Sequence, residues 1–219
     1  MMRVKRHAPV GLLLCFFAAQ LVFWHQTLHR LPELGVVPDV PGKPALHVLA
    51  FGDDEFLFRL MGFILGNAGD TFGRSTALKE YDLKKVEKWF LLLDQFDDRS
   101  NLLPFMASYY FSQTQKHEDV RYMVDYLYEH SWRRPAVKYW WLAQGAYLAL
   151  HRLHDKDLAI KLAEPLKNAR GAPMWAQQLP AFVFEERGEM EDAKNIIEHI
   201  LANEKNIPEN EIKFMRYFV

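Results

Sequence analysis

Apolar positions recur every three or four residues along most of the chain from residue 53 onward, a spacing that predicts amphipathic helices. The helix expected to open at Asp82, for example, places Val86, Trp89 and Leu93 on one stripe. No convincing run of alternating strands follows residue 52, so an all-helical fold is expected. The other predicted helices lie over or around residues 53–67, 102–115, 120–130, 136–151, 158–166, 175–186, 193–200 and 208–218.

The first 30 residues differ because their apolar positions are nearly continuous rather than periodic. The apolar run covers residues 9–24 and follows three basic residues, Arg3, Lys5 and Arg6. A basic segment before an apolar run of this length is typical of a signal peptide or a short transmembrane helix. Residues 1–30 are therefore predicted to form a signal anchor, a single transmembrane helix.

A cleaved signal peptide and a lipoprotein are the alternatives to an uncleaved anchor. The only small cluster suited to cleavage is Ala18-Ala19, and the apolar run resumes after it. Cys15 follows a leucine and lacks the small residue expected before a lipidated cysteine. The sequence therefore favours the uncleaved anchor.

Basic residues are more frequent before the apolar run than after it, which keeps the N-terminus cytoplasmic. The expected location is therefore the bacterial inner membrane, with a single pass and the C-terminal domain in the periplasm. A mitochondrial inner-membrane location is the alternative, because the first 30 residues contain no acidic residue.

Residues 31–52 are predicted to be a linker before a helical domain over residues 53–219. Four of the chain's 11 prolines lie in this segment, and proline density favours an extended spacer. A strand pair that packs on the domain is the alternative for residues 46–51.

Composition limits the function more than it defines it. Hydrophobic residues make up 50% of the 219 residues, as expected for a folded chain. The net charge of −1 provides no general attraction for nucleic acid, so no nucleic-acid partner is expected. The single cysteine excludes an internal disulfide framework and a cysteine-rich metal site.

No residue set suggests catalysis or a cofactor. The loop over residues 68–75 comes close to a phosphate-binding loop but lacks its first glycine and its lysine. The pairs His25/His29 and His151/His154 have helical spacing, but no third ligand is identifiable. We therefore predict a non-enzymatic protein with no catalytic residue, no metal and no cofactor.

Small residues recur at intervals that suggest paired helices. They lie midway along alternate predicted helices, and the last three of them are 38 and 36 residues apart. A second series in the partner helices is spaced by 34, 39 and 34 residues. Such residues allow two helices to approach closely. The first series is Gly62, Ala107, Gly145 and Ala181, and the second is Val86, Val120, Ala159 and Ala193.

With this spacing, residues 53–205 resemble the tetratricopeptide (TPR) repeat family. The best match is the last repeat, with Ala181, Phe184, Gly188, Ala193 and Ile197 at the family's small, aromatic, turn, small and large positions. The resemblance implies a TPR-like right-handed α-solenoid of about four helix pairs. It also implies a protein-binding groove, lined by the first helix of each pair.

The register of those first helices predicts which residues line the groove. The set is aromatic and polar with few basic residues, which favours an apolar helix or an extended segment over a terminal carboxylate. The predicted function is a membrane-anchored scaffold or assembly factor that binds a protein partner of a membrane or envelope complex. The alternative is an accessory subunit or enzyme of cell-envelope polysaccharide or peptidoglycan metabolism. The predicted groove residues are Asn101, Ser108, Phe111, Tyr139, Ala146, Trp175, Gln178 and Phe182.

Overall fold

The computed structural model describes residues 8–27, 35–71, 74–203 and 207–218. The chain divides into two compact units, with the boundary between Gly35 and Val36. The predicted basic segment before residue 8, and the part of the predicted linker before residue 35, lie outside the described residues.

The first unit contains helix α1, Ala8–Thr27. Its segment Pro9–Gln26 is long and apolar enough to cross a membrane, and none of that segment is buried. The expectation of one apolar N-terminal helix is confirmed.

The regular secondary structure described in the second unit is helical apart from an isolated bridge between Arg170 and Ala172 and a two-residue antiparallel ladder, β1 Asp70–Thr71 with β2 Arg74–Ser75. Strands this short produce no alternating pattern, so the sequence did not indicate them. Helix α5 continues into a π-helical segment, Met106–Tyr110, and a 3₁₀ segment, Phe111–Gln113. The helices are α2 Lys43–Leu49, α3 Asp54–Gly66, α4 Leu83–Leu93, α5 Leu102–Phe105, α6 Val120–Ser131, α7 Pro135–His151, α8 Lys156–Ala163, α9 Met174–Arg187, α10 Met190–Asn203 and α11 Glu209–Phe218.

Side-chain caps explain why several helices begin where the sequence predicted. The carboxylate of Asp53 accepts a hydrogen bond from the Phe56 amide at 2.8 Å, and that of Asp82 accepts one from the Lys85 amide at 3.0 Å. Each bond satisfies an amide that the first helical turn leaves unpaired. Gly188 ends α9 with a φ of 89°, which glycine adopts without steric cost.

Helices that follow each other in sequence pack against each other in the second unit. Helix α6 packs on α7, α7 on α8, α8 on α9, and α9 on α10, and α4 also contacts α6. The core beneath them contains edge-to-face aromatic contacts, with ring centroids 5.7 Å apart for Phe90 and Phe111 and 5.1 Å apart for Phe90 and Tyr126. Tyr81 also meets Phe111 edge to face, and burial together with a hydrogen bond to Tyr110 raises the pKa of Tyr81 to about 12.

The linker prediction is wrong for residues 36–52, which belong to the second unit. Val37, Leu46 and Ala50 are buried in its core. The indole nitrogen of Trp89 also donates a hydrogen bond to the carbonyl of Pro38 at 2.9 Å. The alternative of a strand pair is wrong as well, because α2 is a helix. Its proline lies in the first turn, where a fixed φ and a missing N–H are tolerated.

Close helix approach at Gly145 agrees with the small-residue spacing. A Cβ atom at this position would lie 2.5 Å from Cδ2 of Leu162 in α8 and 3.5 Å from Cβ of Leu127 in α6. Ala193, a small residue of the second series, is completely buried in α10.

We expect Gly145→Leu and Ala193→Leu each to lower the free energy of unfolding by roughly 1–3 kcal/mol or more, because the larger side chain overpacks a closed contact. Thermal melts of the full-length protein in detergent measure the effect. Ala202→Leu is the matched control, since Ala202 is exposed on α10. Unchanged melting temperatures for both variants would contradict the packing described here.

Candidate protein-interaction surface

Five aromatic residues from three helical segments form a connected patch, which we call the aromatic surface. The Phe105 and Tyr109 rings lie 5.1 Å apart, and the indole nitrogen of Trp140 donates to the Tyr109 hydroxyl at 3.2 Å. Trp175 meets Trp140 at 5.9 Å and Tyr139 at 5.8 Å, both edge to face. All except the half-buried Tyr139 are exposed. Contiguous exposed aromatic area of this kind is typical of interaction sites.

The π-helical segment begins directly after Phe105 and determines how Tyr109 is presented. Within it the Ser108 hydroxyl donates to the carbonyl of Pro104 at 2.7 Å, and the Ser112 hydroxyl donates to the carbonyl of Ser108 at 2.5 Å. These bonds satisfy carbonyls in a stretch where regular α-helical pairing is interrupted. The extra residue per turn shifts the side chains that follow, as π-bulges commonly do at functional sites.

A local distortion at Lys138 precedes the aromatic pair of α7. Its backbone is not helical (φ −103°, ψ 22°), although the helix continues on both sides. The Lys138 ammonium is buried and donates to the carbonyl of His130 at 3.0 Å, which ties the start of α7 to the end of α6. Burial lowers the pKa of Lys138, and the nearby Asp98 opposes this effect. The Lys138 side chain therefore holds the start of α7, from which Tyr139 and Trp140 project, against the end of α6.

The outward face of α7 extends the aromatic surface and carries no acidic residue, lysine or arginine. Positions 137, 140, 144, 147 and 151 share one face by helical spacing. They hold valine, tryptophan, glutamine, tyrosine and histidine, and all but the glutamine are exposed. An apolar partner suits this face better than a charged one.

Two of the predicted groove residues, Tyr139 and Trp175, contact each other in the aromatic surface. A third, Asn101, is exposed just before α5, and its side-chain oxygen accepts a hydrogen bond from the indole of Trp141 at 3.2 Å. The structure therefore leaves these three residues at the surface.

Three other groove predictions are wrong because the side chains are inside the protein. Phe111 is completely buried, and Ala146 and Ser108 are 1% and 3% exposed. The π-helical segment explains the errors at Ser108 and Phe111, since the 3.6-residue period does not hold through it and Tyr109, which lies between them, is exposed. Ala146 follows Gly145 into the contact with the neighbouring helices.

The prediction for Gln178 is wrong because its side chain is 3% exposed where α11 packs on α9, and Phe182 is half-buried against the same helix. The Gln178 amide donates to the Glu211 carboxylate at 3.2 Å. The Phe182 and Phe214 rings lie 6.1 Å apart. This part of α9 is therefore covered by the C-terminal helix of the same chain.

Sequence reasoning missed Phe105, Tyr109 and Trp140 as surface residues. For Tyr109 and Trp140 the available signal was the runs of adjacent aromatics at positions 109–111 and 139–141, since adjacent residues cannot all face a helix core, and Phe105 belongs to neither run. Which member of each run faces out depends on the π-helical segment and on the distortion at Lys138.

A buried polar network ties α4 to α6 beside the core. Nδ1 of His130 lies 2.7 Å from a carboxylate oxygen of Asp94, and the hydroxyl of Tyr126 donates to the other oxygen at 3.1 Å. Burial and the neighbouring Asp94 raise the pKa of Tyr126 well above its usual range, so the hydroxyl keeps the proton that it donates. Because His130 and Tyr126 are closed to solvent, the network joins helices and is not open to a substrate.

Over the described residues, no group of three histidine, cysteine, aspartate or glutamate side chains could hold a metal ion. His151 and His154 lie in or just after the end of α7, and His25 lies in α1. His29 lies outside the described residues.

Comparisons with protein-family models, with curated proteins and with solved structures find no significant match to this chain. What the structure itself defines is an all-helical protein with one apolar N-terminal helix.

Proposed function

We propose that this protein is a membrane-anchored, non-enzymatic scaffold or assembly factor that binds a protein partner through the aromatic surface. The observation that carries the proposal is the connected set of exposed aromatics on α5, α7 and α9. Exposed aromatics of this size favour association unless a partner covers them, and tryptophan and tyrosine are enriched among the residues that dominate binding energy.

We further propose that the second unit is a TPR-like right-handed solenoid of about four helix pairs. The proposal is supported by the sequential packing of α6 to α10 and by the close approach at Gly145. In such a stack the first helices of successive pairs line one face. The aromatic surface draws its residues from three such helices, which is the reason for placing the partner there.

The partner's contacting segment is proposed to be an apolar helix or extended strand. The exposed face of α7 has no charged lysine, arginine or acid to pair with a charged ligand. An apolar segment would bury the tryptophans without leaving a charge desolvated. Chemical crosslinking in intact membranes, followed by purification of the full-length protein, would identify the partner. We expect one partner to be captured by wild type and lost in Trp140→Ala, and equal capture by both would contradict the proposal.

The anchor is proposed to hold the protein in a bacterial inner membrane with the helical unit in the periplasm, or alternatively in a mitochondrial inner membrane. We expect full-length protein to stay with membranes after alkaline carbonate extraction, because α1 would be embedded in hydrocarbon. Leu14→Asp with Phe17→Asp should release it, since each central acid opposes insertion by about 2.5–3.5 kcal/mol. A mature N-terminus near residue 20 would contradict the anchor.

The alternative is an accessory subunit or enzyme of cell-envelope polysaccharide or peptidoglycan metabolism. The aromatic surface is the observation that favours it, because exposed tryptophan rings stack against the apolar faces of sugar rings. Co-sedimentation of the full-length protein with purified peptidoglycan separates the two proposals. Sedimentation that depends on Trp140 and Trp175 would favour the polysaccharide, and its absence would favour the protein partner.

A further inference from the structure

A second exposed apolar surface lies on α3, outside the aromatic surface. One side of this helix packs into the core through Leu57 and Leu65. The opposite side carries Phe56, Leu60 and Phe63, which follow each other at helical spacing and are all exposed. The exposed side of a surface helix normally carries polar or charged residues, so three large apolar side chains there indicate that this side of α3 lacks a cover.

Further exposed apolar residues lie at the end of α2 and in the turn that leads into α3. Val48 and Leu49 at the end of α2 are exposed, and Phe51 is 95% exposed. Phe51 also has a φ of 50°, a left-handed conformation that is sterically costly for a bulky residue, and Gly52 follows at 85°. We call the six residues Val48, Leu49, Phe51, Phe56, Leu60 and Phe63 the apolar face.

The charged groups beside the apolar face are engaged with one another. The ring of His47 lies 3.1 Å from the Asp54 carboxylate, and Arg59 pairs with Glu55 one helical turn away. The Asp53 carboxylate caps α3. The surroundings therefore have no basic excess that would select an acidic partner.

We propose that the apolar face inserts into the interfacial layer of a lipid bilayer. The inference rests on the proposed anchor. Nine residue steps connect Thr27 at the end of α1 with Val36 at the start of the second unit, so the connection spans at most about 32 Å. Anchoring would therefore tether Val36, which precedes α2 and α3 in the sequence, within that distance of the end of α1.

Lipid suits the chemistry of the face. Phenylalanine and leucine side chains of interfacial helices bury about 5–10 Å into the boundary between headgroups and acyl chains. Most interfacial helices add a lysine-rich polar face that binds anionic lipids, and α3 has only Arg59, which is already paired. Insertion is therefore driven by apolar burial and is independent of anionic lipid.

The test uses the full-length protein reconstituted in phosphatidylcholine vesicles and a polarity-sensitive fluorophore on single cysteines. Cys15 is the chain's one cysteine, so labelling it reports on α1. Phe51→Cys and Phe63→Cys, each in a Cys15→Ala background, report on the apolar face. Lys194→Cys in the same background is the control, because Lys194 is exposed on α10.

Labels at 51 and 63 are expected to be quenched severalfold more by lipid-borne nitroxide than the label at 194, and to be protected from aqueous iodide. Adding phosphatidylglycerol should leave both values unchanged, and a requirement for it would overturn the apolar basis of insertion. Protection from iodide without nitroxide quenching would mean that protein covers the face, which also overturns the inference.

The label on Cys15 separates failure of this inference from failure of the anchor. Quenching by nitroxide at 15 with full iodide access at 51 and 63 would overturn the membrane contact of the apolar face and leave the anchor intact. Iodide access at 15 would overturn the anchor, and the inference with it.

Discussion

Replacing Phe111 with alanine is expected to lower the free energy of unfolding by about 3–5 kcal/mol. The Phe111 side chain is completely buried and makes edge-to-face contacts with Tyr81 and Phe90. Truncation removes apolar burial and these ring contacts, and it leaves a cavity that the core fills only in part. Chemical denaturation of full-length protein in detergent measures the loss.

Phe105→Ala is the matched control for this experiment. Phe105 belongs to the same helix but is exposed, and its ring contacts only Tyr109 among the aromatics of the described residues. Its truncation is expected to change the free energy of unfolding by less than about 1 kcal/mol, as at most surface positions. Equal losses for the two variants would contradict the assignment of Phe111 to the core and Phe105 to the surface.

Trp140→Ala and Trp175→Ala are each expected to weaken binding of the proposed partner by about 2 kcal/mol or more, which is about 30-fold in affinity. Both side chains are partly exposed, at 44% and 42%, and meet in the middle of the aromatic surface. Their truncation should cost little stability, because neither fills the core. Titration of the purified variants with the captured partner measures the affinity, and thermal melts measure the stability.

Trp132→Ala is the control for an exposed tryptophan outside the aromatic surface. Trp132 is 40% exposed, a fraction similar to those of Trp140 and Trp175, and its ring stacks on Tyr128. It should leave both affinity and stability unchanged. Phe182→Ala should instead lower stability without a specific loss of binding, because Phe182 packs against Phe214 of α11. A loss of binding in Trp132→Ala equal to that in Trp140→Ala would contradict the proposed surface.

Local signals in the sequence predicted much of the fold. Helix starts at Asp53 and Asp82 could be predicted because a carboxylate at the N-cap has a fixed geometric role, and Gly188 could be predicted because the helix end requires a left-handed residue. The close approach at Gly145 could be predicted because only a missing side chain allows it. Each of these depends on a few neighbouring residues.

Features that depend on tertiary contacts could not be predicted in the same way. The π-helical segment changes the register of the residues that follow α5, so that Phe111 is buried and Tyr109 is exposed. The distortion at Lys138 depends on a hydrogen bond to the end of another helix. The proline-rich segment packs on the second unit because Val37 and Leu46 are buried in its core. Proline density alone does not indicate this burial.

The aromatic surface could be predicted only in part for the same reason. Tyr139 and Trp175 were identified from the spacing of small residues, and they do contact each other. Gln178 and Phe182 were identified from the same spacing, but α11 packs on them. The hydrophobic periodicity of α9 does not indicate that another helix contacts this face.

Hydroxyl-radical footprinting in native membranes tests the central claim most directly, because it measures whether the aromatic surface is covered where the protein works. Oxidation of Trp140 and Trp175 is compared between native membranes and the purified full-length protein, with Trp132 as the internal reference. The proposed scaffold predicts severalfold protection of Trp140 and Trp175 in native membranes and none of Trp132. Equal oxidation of all three tryptophans in both preparations would contradict it.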